Sequence, residues 1–184
     1  MPGTKIPLVT DLDGTLVRGD TLVKGIRLLL CHRPWLAPLL PFWVLGGRPF
    51  FKRKLAAWSA RACGQMPLNR SVLDLLDQAA AQGRPICLAT AADESVAAVM
   101  VRRWPRFDAV MATTAGHNLK SGNKADALVR RYGEQGFDYI GDSPADLAVW
   151  KKARVAYVIG NNGLYEKALA VNARAVLVEP EWIC

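Results

Sequence analysis

The stretch DLDGTL, Asp11 to Leu16, follows directly on the apolar run IPLVT, Ile6 to Thr10, and sets two carboxylates two residues apart at the end of what reads as a strand. One Asp is enough to start a turn or cap a helix. Two that face each other repel, and only a cation or a shared proton offsets that repulsion. A calcium loop of the EF-hand kind is set aside, because it needs Gly at the sixth position and Glu at the twelfth, where this chain has Leu16 and Leu22.

Working outward, apolar runs of strand length recur at Pro85–Ala89, Ala109–Ala112, Phe137–Ile140, Val155–Ile159 and Ala175–Val178, most of them bounded by Gly, Asp or Pro. Helical signals fill several intervals. One helix is predicted from about Asn69 to Gln82, stopped by Gly83. A second runs from Asp93, read as a cap and not a ligand, to about Trp104 before Pro105. A third starts near Asn123 and stops by Gly133, and a fourth has Ser143 as N-cap, Pro144 at its first position, Asp146 as third residue and Lys151-Lys152 in its last turn. Strands alternating with helices at this spacing predict an α/β fold with a doubly wound, mostly parallel sheet covered on both faces, which binds ligands at the carboxyl ends of its strands.

Residues 21–68 interrupt the alternation and are too long for a loop, so they are read as a small helical cap inserted after the first strand, leaving 1–20 and 69–184 as the core. The charge is lopsided in the same place. Of a net +8, the segment Thr21–Leu73 carries nine basic residues (Lys24, Arg27, Arg33, Arg48, Lys52, Arg53, Lys54, Arg61, Arg70) and no acid, so the rest is close to neutral. Within it, Pro34–Gly47 (PWLAPLLPFWVLGG) holds no charge at all. A spanning helix needs about 20 apolar residues, and Pro34, Pro38 and Pro41 would break this one. Two readings remain: a cap that packs on the core while its cations draw in an anionic substrate, or a segment that dips into an anionic membrane surface.

The residues with chemistry fall at the strand ends. Asp11 and Asp13 follow the first strand, Thr90 ends the second, Lys124 opens a helix, and GDSPAD (Gly141–Asp146) follows Phe137–Ile140. This ordered set resembles the four motifs of the haloacid-dehalogenase-like (HAD) superfamily, mainly phosphatases and phosphotransferases, over nearly the whole chain: D-x-D-x-T at Asp11–Thr15, a strand-terminal Thr at Thr90, a helix-start Lys at Lys124, and G-D-x-x-x-D at Asp142 and Asp146. Lys120 competes for the third motif, and the spacing Gly122-x-Lys124-x-x-x-Leu128 favours Lys124. The resemblance implies a Mg²⁺-dependent phosphomonoester hydrolase with a Rossmann-like core. Asp11 would be the nucleophile, forming an aspartyl-phosphate. Asp13 would protonate the leaving group and later deprotonate water. Thr90, Ala91, Gly14 and Thr15 would contact the substrate, Lys124 would neutralise charge, and Mg²⁺ would sit on Asp11, Asp142 and the Asp13 carbonyl. Asp146 would orient Lys124 or a metal-bound water, or serve only as a helix N3 acid. Dehalogenation is disfavoured because those enzymes generally lack the second Asp.

Within the superfamily, the apolar Pro- and Trp-bearing cap with LATA, NLK and DYIGDSPADLAVW is similar to the phosphatase-like domain fused to membrane prenyltransferases of the UbiA type. No prenyltransferase segment lies within these 184 residues, so that likeness implies action on the product of a separate prenyltransferase, a polyprenyl- or glycerolipid-type phosphate. The rival from another class is a membrane-surface adaptor that keeps the fold without turnover. Nucleic acid is not expected as a partner, since the basicity is local. The first residues show no signal peptide, and Cys31, Cys63, Cys87 and Cys184 form no C-x-x-C pair. A cytoplasmic protein with reduced thiols, peripheral on the inner face of the membrane if the cap docks there, is the expectation. His32 and His117 are read as non-catalytic.

Overall fold

In a computed structural model, which describes residues 5–114, 119 and 121–184, the run before the paired acids forms β1, Leu8–Thr10. The strand starts two residues later than the hydrophobic run, because Pro7 has no N–H for the ladder and the first bond is from Leu8 N to the Pro85 carbonyl at 2.9 Å. β1 is flanked in parallel by β3 (Ile86–Asp93) and β5 (Asp138–Gly141), with β4 (Ala109–Thr113) beyond β3, and β6 (Ala156–Ile159) and β7 (Ala175–Val178) beyond β5. The order β4-β3-β1-β5-β6-β7 reverses at β1. That is the switch point at which open α/β sheets form their crevice.

Side chains alternate across the sheet with period two. Leu8, Ile86 and Leu88 join Val72, Leu76, Val96 and Met100 from α4 (Arg70–Ala81) and α5 (Glu94–Arg103) in one core cluster. Val9, Cys87, Ala89 and Tyr139 join Leu128 from α6 (Gly122–Tyr132) and Val149 and Trp150 from α7 (Leu147–Trp150) in another. The sheet is therefore covered on both faces, in the mostly parallel α/β architecture that the alternation predicts.

Four local differences from the expectation have physical causes. β3 continues past Ala89 through Thr90 to Asp93, with a register shift against β4, so Thr90 sits inside an irregular strand and not at its end. The expected helix after Ser143 starts as a 3₁₀ turn, Pro144–Asp146, before α7, and Lys151 is its C-cap with Lys152 beyond. α8 (Asn162–Val171), capped by Asn161 Oδ1 on Leu164 N at 3.0 Å, provides the crossover before β7 that no signal was read for. Finally, β2 (Leu68–Asn69) pairs antiparallel with β8 (Trp182–Ile183), a contact across more than a hundred residues.

The segment between β1 and β2 is helical. α1 (Thr21–His32), a 3₁₀ turn Pro34–Leu39, α2 (Leu40–Leu45) and α3 (Arg48–Gln65) follow one another, the prolines chopping the middle into short turns. α1 and α3 cross closely at Gly25, where a Cβ would stand 2.8 Å from the Ser59 backbone. Arg103 on α5 donates to the Cys63 and Met66 carbonyls at 2.7 and 2.9 Å, holding the C-terminal end of α3 to the core.

Candidate active site at the carboxyl end of the sheet

Asp11 leaves β1 with its N–H still bonded to the Ile140 carbonyl at 2.9 Å, which aims the acids beyond the sheet's end. Its Oδ1 accepts from Leu12 N at 2.7 Å and lies 3.0 Å from Lys124 Nζ. The chain must then fold back at once. Gly14 does this with φ +75°, and a Cβ there would lie 1.9 Å from Asp142 Oδ2, so a side chain at this position would displace an acid of the site. Thr15 is buried below, donating from Oγ1 to Asp142 Oδ1 at 2.9 Å.

Lys124, only 3% exposed, points from the first turn of α6 into the same place. Its Nζ donates to the Tyr139 hydroxyl at 2.8 Å, and that hydroxyl donates to Asp146 Oδ1 at 2.9 Å. Asp146 Oδ2 accepts from the Ser143 backbone N at 3.2 Å and from its Oγ at 2.9 Å, so both oxygens of this acid are engaged. Asp11, Asp142 and Asp146 each offer a carboxylate oxygen within 4.8 Å of the others. Tyr139 was not legible as a site residue, because a strand tyrosine reads as core; only its position two residues before Gly141-Asp142 hinted at it.

A cleft of about 640 Å³ opens here between the core and the helical insertion. Asp11, Asp13, Gly14, Ala91, Lys124, Asp142 and Asp146 line its core side, and Val44, Phe51 and Lys52 its other wall. The cleft thus brings most of the sequence-selected residues together. Thr15 and Thr90 lie just beneath it: both are fully buried, and the Thr90 hydroxyl accepts from Ala92 N at 3.0 Å. Asp93 caps α5, accepting from Ser95 N at 3.0 Å. His117 and Lys120 lie outside the described residues. Lys52, which sequence reasoning counted only as one of nine cations, donates from the insertion to the Ala91 carbonyl at 2.6 Å, a carbonyl that also accepts from Thr113 Oγ1 at 2.8 Å.

Electrostatics follow from three crowded acids, Asp146 buried and Asp11 and Asp142 partly so, facing the Lys124 ammonium. Burial pushes Asp11 above the ordinary carboxylate range, against the pull of Lys124, and the Asp146 charge adds to the rise. Burial also pushes Asp142 up to about 7, with Asp11 and Asp146 adding. Asp13 rises to about 7, mainly by burial, although its Oδ1 accepts from Thr21 N at 2.8 Å. Burial would lower Lys124, but Asp11 and Asp146 outweigh it and hold the ammonium above its usual value. Hard carboxylate oxygens with a surplus of negative charge fit a divalent cation of the magnesium type.

Linkage gives a sign. Asp13 and Asp142 hold protons more tightly folded than at their ordinary 3.8, so the folded protein binds more protons between about 4 and about 7. That contribution is complete below the lower value and lost above the upper one. Metal-free protein is therefore expected to melt at progressively lower temperature as pH rises through this window. Millimolar Mg²⁺ should abolish most of the decline, as thermal melts in a pH series with EDTA or Mg²⁺ would show; a flat metal-free profile would refute the crowding of acids.

No family model matches the chain. A curated relative, the uncharacterized protein y4nM of Sinorhizobium fredii (strain NBRC 101917 / NGR234), is 36% identical over 166 residues, covering 90% of this chain and 32% of that protein, so the chain spans about a third of that relative's length. Among solved structures, a HAD family hydrolase from Salmonella enterica serovar Typhi superposes with a TM-score of 0.69 at 15% identity, over 95% of this chain and 70% of that one. A phospho-aspartyl intermediate analogue of phosphoserine phosphatase superposes with a TM-score of 0.63 at 14% identity, over 94% and 93%. Among the described residues no helix is long and apolar enough to cross a membrane. The six-stranded parallel sheet that reverses at β1 superposes on these proteins: the chain has the Rossmann-like α/β fold of the HAD hydrolases.

Proposed function

We propose that the protein is a Mg²⁺-dependent phosphomonoester hydrolase that works through an aspartyl-phosphate, on an amphipathic or lipid-linked phosphate. The observation that carries this is the Asp11–Lys124 contact of 3.0 Å inside a cleft that also holds Asp13 and Asp142. The likeness to a phosphoserine phosphatase caught as a phospho-aspartyl analogue supports the same reading.

Asp11 attacks phosphorus, and the leaving oxygen departs with a proton from Asp13. Burial biases the Asp13 carboxyl toward its protonated form, which suits both halves of that task, giving the proton in the first step and taking one from water in the second. Lys124, kept charged by Asp11 and Asp146, neutralises the nucleophile and the transferred group. The Ala91 backbone N–H, next to Thr90 whose hydroxyl accepts from Ala92 N, would orient a phosphoryl oxygen, whereas the Gly14 N–H expected to do the same is engaged by the Val17 and Gly19 carbonyls at 3.0 and 3.1 Å. Asp146, tied to Lys124 through Tyr139, positions the lysine. Asp11, Asp142 and the Asp13 carbonyl would hold Mg²⁺, which screens the dianionic ester from the attacking carboxylate.

Substrate class is argued from the opposite wall. Val44 and Phe51 offer apolar surface and Lys52 a cation, as a lipid-linked headgroup would use, and the likeness to the prenyltransferase-associated domain favours a polyprenyl or glycerolipid phosphate. Such a substrate makes the protein peripheral to a membrane. Hydrolysis of p-nitrophenyl phosphate is expected with Mg²⁺ and lost in EDTA, and a panel setting soluble metabolites against lipid phosphates should rank the lipids higher. Silence of the whole panel with Mg²⁺ present would leave the adaptor reading in its place.

A further inference from the structure

The uncharged stretch of the insertion is turned outward. Neither the 3₁₀ turn Pro34–Leu39 nor α2 buries a single residue. Five of the ten exposed large apolar side chains among the described residues fall between positions 35 and 45: Trp35, Leu39, Phe42, Val44 and Leu45, with Trp35 68%, Phe42 66% and Leu45 83% exposed. A patch of this kind on a water-facing surface marks a place of contact.

Its surroundings say with what. Arg27 and Arg33 are exposed just before it, and Arg53, Lys54 and Arg61 lie on the exposed side of α3 just after it, with no acid anywhere from Thr21 to Leu73. A second copy of the chain would bring the same cations face to face. A nucleic acid would answer the charges but leave Leu39 and Leu45 in water. An anionic lipid surface answers both, taking apolar side chains into the headgroup boundary and cations onto lipid phosphates. Val44 belongs both to the patch and to the wall of the cleft, so the two are continuous.

We propose that residues 34–45 are an interfacial anchor that lies in the headgroup layer of an anionic membrane, with Trp35, Phe42 and Leu45 inserted and the mouth of the cleft opening onto the same layer. The purpose of this anchor rests on the phosphatase reading, whereas the docking itself needs no catalysis.

The test sediments the whole protein with vesicles of phosphatidylcholine, with and without phosphatidylglycerol, and follows tryptophan emission. Binding and a blue shift are expected only with the anionic lipid, weakening as salt is raised. Replacing Trp35→Ser together with Phe42→Ser should weaken partitioning about tenfold or more, as should Arg53→Ala with Lys54→Ala. Both pairs should keep the melting temperature and p-nitrophenyl phosphate hydrolysis of the parent. The proposal falls if the protein stays in the supernatant, if the substitutions leave binding unchanged, if gel filtration instead reveals a dimer that the Trp35/Phe42 pair dissolves, or if oligonucleotides displace the vesicles. Vesicle binding by a protein that hydrolyses nothing would uphold the anchor and sink only the enzyme.

Discussion

Asp11→Asn is expected to lower hydrolysis of p-nitrophenyl phosphate by at least about a thousandfold, the scale at which loss of a nucleophile is felt. The substitution keeps the shape of the side chain and removes its charge and nucleophilicity. The protein should nonetheless stay folded. Asp11 is one of three acids crowded within 4.8 Å, and removing one charge relieves repulsion that, among the described residues, Lys124 balances by ion pairing. The metal-free melting temperature of Asp11→Asn should therefore match or exceed the parent's, while the stabilisation brought by Mg²⁺ shrinks. Acid-quenched parent protein should carry phosphate after a burst with substrate, and the variant none. Hydrolysis surviving above a tenth of the parent rate would assign the nucleophile elsewhere.

The second large effect concerns Lys124→Met. Methionine fills nearly the same volume but removes the ammonium that lies 3.0 Å from Asp11 and 3.7 Å from Asp146. Breaking a buried pair from one side costs about 3–5 kcal/mol, which for a chain of 184 residues means a fall in melting temperature on the order of 10 °C. Turnover should drop about a hundred- to a thousandfold, as when one donor to a developing charge is removed. Mg²⁺ should restore part of the stability and little of the rate. A variant as stable as the parent without metal would mean that Asp11 and Asp146 are not charged there together.

Most of the architecture was legible because strand runs and helix punctuation agree. Gly83 and Gly133 do end α4 and α6, each with positive φ, and Asp93 does cap α5. What escaped depends on contacts distant in sequence. β2 and β8 are two residues each and exist only because Leu68 meets Ile183, so neither has a period to read. α8 did carry a signal, Asn161 ahead of an apolar series, but Gly163 in its first turn hid it.

The site divides in the same way. Paired acids after β1, and GDSPAD after β5, announce themselves by spacing. The Lys124–Tyr139–Asp146 chain does not, since whether a strand tyrosine turns its hydroxyl to a lysine is decided by where α6 begins relative to β5. Thr15 looked like a substrate contact and is found holding Asp142, because the tight return at Gly14 carries it under the acids. Lys52 could not be singled out from its eight basic neighbours without knowing which helix face meets β3.

The helical insertion is fastened to the core at well-separated points: Thr21 N on Asp13, Lys52 on the Ala91 carbonyl, and Arg103 on the end of α3. Hydrogen bonds with a charged partner are worth about 1.5–3 kcal/mol each, and Cys63 and Met66 at the end of α3 are buried in the same core cluster as Val96 and Met100 of α5, so lifting the insertion clear costs more than these bonds alone. Traffic in and out then runs through a standing doorway and not under a raised lid, so on the phosphatase reading the width of that doorway beside Val44 and Phe51, more than any swing of helices, would decide which phosphate esters enter.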